Sequence, residues 1–262
     1  MIRLTGLFFN PLTGMNLRVF ILSMFLYISG MAQDTFEATT GSIDNPSSAS
    51  LMQIEVWSDI SCPFCYLGKK NFEKALDESG YRDRVRVTWR SYQLNPGMRT
   101  EPGLSLYDFL KREKGWEKPD VLATENRLNQ AGMSVGIHYR FDQVVVANTL
   151  RAHALLHFAN KLGKQPETGE RLFRAYFTEG VNVDDIQSLL KVAEASGLDI
   201  AGLEKSLTSG AFDADIRNDI AEAERLNIRG VPYFLVDRKY AVSGAQEPQV
   251  FIDTLKKAFG EK

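Results

Sequence analysis

Ile54-Glu55-Val56-Trp57-Ser58-Asp59-Ile60-Ser61-Cys62-Pro63-Phe64-Cys65-Tyr66-Leu67-Gly68-Lys69-Lys70-Asn71-Phe72 is the stretch on which the reading of this chain turns. Ile54 and Val56 give a short strand pattern, followed by a turn. Beyond Cys65 the pattern becomes helical, with Leu67, Phe72, Ala75 and Leu76 at mixed three- and four-residue spacings. The only two cysteines of the chain sit where strand gives way to helix. Pro63 suits the first helical position, where its missing N–H has no intrahelical partner to lose. Cys62 is then the cap residue, its sulfur expected to face the free N–H groups and the positive end of the helix dipole.

A helix N-terminus favours the thiolate, which is the nucleophile of disulfide exchange. Cys65, one turn further in, is expected to be less exposed and to act second. The implied cycle is a mixed disulfide at Cys62 that Cys65 resolves. A purely structural disulfide fits poorly, because so short a loop removes little unfolded-state entropy. Half a zinc site fits poorly too: there is no second cysteine pair, and the chain has three histidines.

With 262 residues, 44% of them hydrophobic and 24% charged, the composition is that of a soluble protein with one large or two modest domains. A formal charge of −2 gives no global reason to expect nucleic acid or an anionic membrane as partner. The first residues differ. Asn16-Leu17-Arg18, an apolar run from Val19 to Ile28, and Ser29-Gly30-Met31-Ala32 have the parts of a secretory signal. The run is shorter than the roughly 20 residues of a membrane span, so no stable membrane insertion is expected. Residues 33–51 then read as a flexible linker. The competing reading is a start at Met52, immediately before the first strand. The location is periplasmic or extracytoplasmic in the first case and cytoplasmic in the second.

Val85 to Tyr92 alternates as a strand, with Val85, Val87 and Trp89 on one face and Arg82, Arg84, Arg86 and Arg90 expected on a solvated opposite face. From about Leu104 to Leu226 the period is helical almost throughout. It includes a run from Val144 to Leu162, a helix capped by Asp184, one from Leu198 to about Ser209, and one from Phe212 to Leu226. Strand character returns at Tyr233–Val236 and Tyr240–Val242, a hairpin, followed by a helix over Pro248–Phe259. The expected fold is α/β, a thioredoxin-like fold with an inserted all-helical domain. The divisions fall at residues 1–51 (leader and linker), 52–102 (thioredoxin-like, first part), 103–226 (helical insertion) and 227–262 (second part).

The second informative segment is Arg229-Gly230-Val231-Pro232-Tyr233. A proline at a strand start is allowed in either peptide isomer, and the sequence alone assigns neither. Cys-Pro-Phe-Cys at a helix start, a long helical insertion, Gly-Val-Pro before a hairpin and a terminal helix together resemble the DsbA family of thioredoxin-fold oxidoreductases. Ser58–Lys69, Ala152-His153, Ala175-Tyr176-Phe177, Gly230–Phe234 and Gly244-Ala245-Gln246 resemble, more narrowly, its FrnE-like branch. The resemblance spans about residues 52 to 260. It implies a cis bond before Pro232, beside the two cysteines. It also implies Val231 backbone groups offered to an extended substrate by strand addition. Cys62, Cys65 and Pro232 are thus the candidate catalytic residues, and Pro63, Phe64 and Val231 the candidate substrate-binding ones. The partners implied are protein thiols and disulfides or glutathione-like small thiols. The family also contains glutathione-linked isomerases and kappa-class transferases, which carry Ser where this chain has Cys62. An isomerase or transferase of a small aromatic or polyketide-like substrate is the alternative activity.

His153 and His157 lie four apart on a helix, a spacing that can hold a metal, but without the acidic residue of a metalloprotease motif. Packing or a partner-facing role is the preferred reading. Asp59 has two open roles, proton acceptor for Cys65 or cap of the turn. There is no phosphate loop, no Rossmann fingerprint and no serine triad, so no cofactor is expected.

Overall fold

A computed structural model describes residues 51–261. The expected leader and linker lie outside these residues, Leu51 excepted. Among the described residues no helix is long and apolar enough to cross a membrane.

The apolar alternation of the first segment forms β1 (Met52–Ser58), and that of the second forms β2 (Val85–Ser91). Between them runs α1 (Pro63–Ser79), begun by Pro63 and closed by Gly80 in the left-handed region (φ 70°), where the absence of a Cβ removes the steric penalty. This crossover lets β1 and β2 pair in parallel, Met52 opposite Val85 through to Ser58 opposite Ser91. Seven helices follow: α2 (Leu106–Lys114), α3 (Lys118–Met133), α4 (Leu150–Lys161), α5 (Gln165–Phe177), α6 (Ile186–Ala195), α7 (Leu203–Ser209) and α8 (Asp213–Arg225). The hairpin β3 (Tyr233–Val236) and β4 (Tyr240–Ser243) and then α9 (Pro248–Phe259) complete the chain. β3 lies antiparallel to β1, with Ile54 opposite Val236, and the sheet order is β2-β1-β3-β4.

β1 is central and buried from Ile54 to Ser58 because both faces are covered. Ile54 and Val56 pack with Phe72 of α1, Phe234, and Phe251 and Leu255 of α9. Trp57 packs on the other face with Leu235, Ile228 and Ala223 of α8. Each such large apolar side chain contributes roughly 1.5–3 kcal/mol on burial. A separate, larger core unites the remaining helices around Leu155, Leu172, Phe173 and Phe177, and it includes both cysteines. The outer edge of β2 is closed by side chains: Gln165 bonds both the N–H and the C=O of Trp89 (3.0 and 2.9 Å), and Asp219 accepts from the Ser91 N–H (2.9 Å). An edge so occupied offers no template for another strand.

Several expectations are corrected. Arg82 and Arg84 belong to a short turn before β2, so the four arginines do not share a strand face. Arg84 lies 4.1 Å over the Phe259 ring, and Arg90 pairs with Glu55 and Asp219. Residues 144–149 are not helical. Asn148 spends its side chain on the Leu150 N–H and the Met98 carbonyl, local bonds that compete with a helix. The cap of α6 is Asp185, which accepts from the Ser188 N–H at 2.8 Å, while Asp184 receives Arg151. The helix expected from Leu198 begins only at Leu203, after Gly202 at φ 79°.

Candidate active site

The residue preceding Pro63 caps α1 by position. The Cys62 N–H donates to the Asp59 carbonyl (3.1 Å), and the Cys62 carbonyl accepts from the Cys65 N–H (3.0 Å). The expected orientation of its sulfur is corrected, however: the side chain makes no capping hydrogen bond. Its sulfur lies instead 3.7 Å from the Val231 carbonyl, to which the S–H donates. Cys62 and Cys65 are both free thiols. Cys62 retains 4% exposure and Cys65 none, the order expected for an attacking and a resolving group.

Burial raises the Cys65 thiol well above its ordinary range, and the Cys62 sulfur beside it adds to the effect. The Ser58 hydroxyl and the Asp59 N–H act on the same sulfur in the opposite sense. A buried sulfur surrendering a proton therefore needs help that a solvent-facing one does not.

The Val231–Pro232 bond is cis. The loop carrying it is fixed from two sides. The Pro232 carbonyl accepts from the Gly244 N–H at 2.8 Å, and a Cβ built on Gly68 would fall 2.8 Å from Pro232 Cγ. Only a glycine on that face of α1 lets the proline approach so closely. The structure thus brings Cys62, Cys65, Val231 and Pro232 together.

Cys62, Pro63 and Phe64 form one wall of an apolar cavity of about 190 Å³, roofed by Phe109 and Leu110 of α2, Leu128 of α3 and Phe141. Lys114 and Glu125 supply charge at this lining. Phe64 is 42% exposed, an apolar ring left open beside the sulfur. Pro63 is tied from behind, its carbonyl accepting from the Tyr139 hydroxyl at 2.7 Å. Burial pushes that phenol up, as does the charge that Cys62 carries when ionised. Tyr139 and the cavity-lining residues of α2 and α3 carry no motif, and no signal in the sequence singles them out.

Tyr66 is a packing residue, stacked on Phe173 at 5.2 Å, with its hydroxyl donating to Glu170. Lys69, on the same helix, is 2% exposed and bonds both Glu73 and Glu170 at 2.7 Å.

Asp59 does cap its turn: its carboxylate accepts from the Ser61 N–H and hydroxyl and from the Leu94 N–H (3.3, 2.9 and 2.8 Å). Burial opposes its charge, but the neighbouring His153 ring, the Leu94 N–H and the Thr149 hydroxyl outweigh burial and hold it below the usual carboxylate range. His153 and His157 both turn inward. The first lies against Asp59 and the second against Ser91 and Asp219. Among the described residues no group of three or more His, Cys, Asp or Glu side chains is arranged to hold a metal ion.

A family model described as a DSBA-like thioredoxin domain matches residues 53–256. The Bacillus subtilis protein YwbO is 29% identical over 202 residues, 76% of this chain and 94% of that protein. Among solved structures, "probable DsbA oxidoreductase SCO1869" from Streptomyces coelicolor superposes with a TM-score of 0.74 at 34% identity, over 80% of this chain and 91% of that one. The cytosolic disulfide reductase DsbM of Pseudomonas aeruginosa shares the fold, with a TM-score of 0.59 at 19% identity over 79% and 98% of the two chains.

Proposed function

This chain belongs to the DSBA-like thioredoxin domain family, and we propose that it is a dithiol–disulfide oxidoreductase of the FrnE-like branch acting on protein or small thiol substrates. Cys62 is the attacking sulfur, Cys65 the resolving one, and Pro232 positions the substrate. The helical stretch 103–226 is read as an insertion that walls the site. The observation that carries this reading is the pairing of two free thiols at one helix start, the outer one in contact with the loop bearing a cis proline.

In the reductive direction the Cys62 thiolate attacks a substrate disulfide and expels one substrate thiolate, leaving a mixed disulfide. Cys65 then attacks Cys62, and the second substrate thiolate leaves. The contact between Cys62 and Val231 gives this cycle a built-in order. While Cys62 is a thiol its S–H occupies the Val231 carbonyl. Once the sulfur is ionised or bonded it has no proton to donate, and the carbonyl is free for an extended peptide.

Cys62→Ser abolishes insulin reduction and refolding of a scrambled disulfide protein if this reading is right; retained activity would refute it. The apolar cavity beside Cys62 favours a second reading, glutathione-dependent isomerisation or transfer on a small aromatic molecule. That activity would require added glutathione and survive Cys65→Ala. Thiol exchange with turnover would not.

A further inference from the structure

Tyr139, in the loop after α3, reaches the start of α1 from across the larger core, and its seat is closely built. A Cβ placed on Gly132 of α3 would fall 2.7 Å from Tyr139 Cε2, an approach that glycine permits. The ring stacks on Phe141 at 5.0 Å and meets Tyr66 and Phe177 edge-on at 6.1 and 5.6 Å. The backbone on either side is pinned. The His138 carbonyl accepts from the Thr178 hydroxyl (2.9 Å), and the Arg140 N–H donates to the Phe177 carbonyl (2.7 Å). The Tyr139 hydroxyl, so placed, donates to the Pro63 carbonyl at 2.7 Å. The Leu67 N–H acts on the same phenol.

The first four N–H groups of an α-helix have no partner inside it. In α1 the Cys62 N–H goes to the Asp59 carbonyl (3.1 Å) and the Cys65 N–H to the Cys62 carbonyl (3.0 Å). Pro63 has no N–H to place. Among the described residues the Phe64 N–H meets no backbone acceptor. It holds the second helical position, which the side chain of a cap residue, here Cys62, can reach. As a thiol Cys62 spends its proton on the Val231 carbonyl at 3.7 Å; as a thiolate it needs a donor instead. The Phe64 N–H and the Pro63 C=O are the two ends of a single planar peptide group. A hydrogen bond to the carbonyl end polarises that group and makes its N–H a stronger donor.

We propose that Tyr139 is a positioning residue that acts through the Pro63–Phe64 peptide group to stabilise the Cys62 thiolate. The inference rests on the reading of Cys62 as the attacking sulfur, and it assigns part of that sulfur's reactivity to a side chain 77 positions further along the chain, by the difference of the two residue numbers. Tyr139 does not touch substrate. Burial keeps its phenol protonated, so it transmits polarisation and transfers no proton. The other titratable groups facing Cys62 and Tyr139 are Cys65 and Tyr66 of α1, Asp59 in the preceding turn, and Lys114 of α2, Glu125 of α3 and Tyr176 of α5 around the cavity. All of these stay in place when the Tyr139 hydroxyl alone is removed.

The test measures the rate at which iodoacetamide modifies Cys62 in the reduced full-length protein across pH, with the modified residue assigned by peptide mass. In Tyr139→Phe, which leaves a ring in the same seat, the profile should move to higher pH. Below the midpoint of the parent profile the rate should fall about two- to fourfold, the scale on which one hydrogen bond strengthens the next. The plateau at high pH should hold or rise slightly, because a more basic thiolate is the better nucleophile. Tyr66→Phe is the control. It removes a phenol from the same aromatic cluster, one that donates to Glu170 at 2.9 Å rather than to Pro63, and its profile should follow the parent's. A Tyr139→Phe profile that coincides with the parent's, or a shift shared equally by Tyr66→Phe, overturns the proposal. So does a lowered plateau with an unmoved midpoint, which a merely structural role would give. Oxidation of the parent by glutathione disulfide is followed separately. If no Cys62–Cys65 disulfide forms, the dithiol reading fails, and the alkylation profiles still decide the role of Tyr139.

Discussion

Gly68 lies directly against Pro232: a methyl group at position 68 would come within 2.8 Å of the ring's Cγ and 3.4 Å of Ala245 Cα. A mid-helix glycine normally costs roughly 1 kcal/mol relative to alanine, so its use here exchanges helix propensity for a close approach to the cysteines.

Gly68→Ala should therefore reverse the ordinary sign. Overpacking of this kind costs about 1–3 kcal/mol, against roughly 1 kcal/mol gained in propensity. Denaturant unfolding should show a net loss, with a slower reaction of Cys62 toward disulfides because Val231 and Pro232 are pushed away. A stabilised, fully reactive variant would contradict this packing.

The reduced and oxidised proteins should differ in alkaline stability. Cys65 is held protonated in the folded dithiol form, well above its unfolded value. Its contribution is thus complete below about pH 8.5 and is lost as pH rises toward the folded value. Melting temperatures of the reduced protein should fall more steeply above that point than those of the disulfide form, in which Cys65 has no proton to lose. Parallel curves would contradict it.

Removing Glu170 should destabilise the protein by about 1–2 kcal/mol in Glu170→Ala, less than the roughly 3–5 kcal/mol for orphaning a buried charge. The reason is that Glu73 keeps its own 2.7 Å contact with the Lys69 ammonium. Burial opposes the Glu170 charge, but Lys69 and Lys70 outweigh it and lower the carboxyl. The contribution is thus present above about pH 4.3 and fades as pH falls through the folded value. Acid unfolding of the parent and the variant should converge at low pH.

Gln165→Ala should cost about 1–3 kcal/mol, because it leaves both backbone groups of Trp89 buried without a partner. Gln165→Glu should cost at least as much, since a carboxylate cannot donate to the Trp89 carbonyl. Both effects are read in denaturant titrations.

Much of the fold was legible locally. Ile54 and Val56 alternate, Pro63 opens a helix, Gly80 closes it, and the run to Val242 reads as a hairpin. The same short-range signals misled where side chains intervened. Asn148 ties down a loop that an apolar run would have made helical. Arg82 and Arg84 belong to a turn rather than to the strand whose alternation they seem to share.

The amino-acid order alone determined the positions of Cys62 and Cys65 and the α/β class, because propensity, capping and two-residue spacing act over a few residues. Only the tertiary structure decided that Cys62 points at Val231, that Gly68 admits Pro232, and that His153 meets Asp59 in a sealed interior. Those contacts join residues about a hundred or more positions apart. They are set by the packing of whole helices on the sheet, which no local pattern encodes.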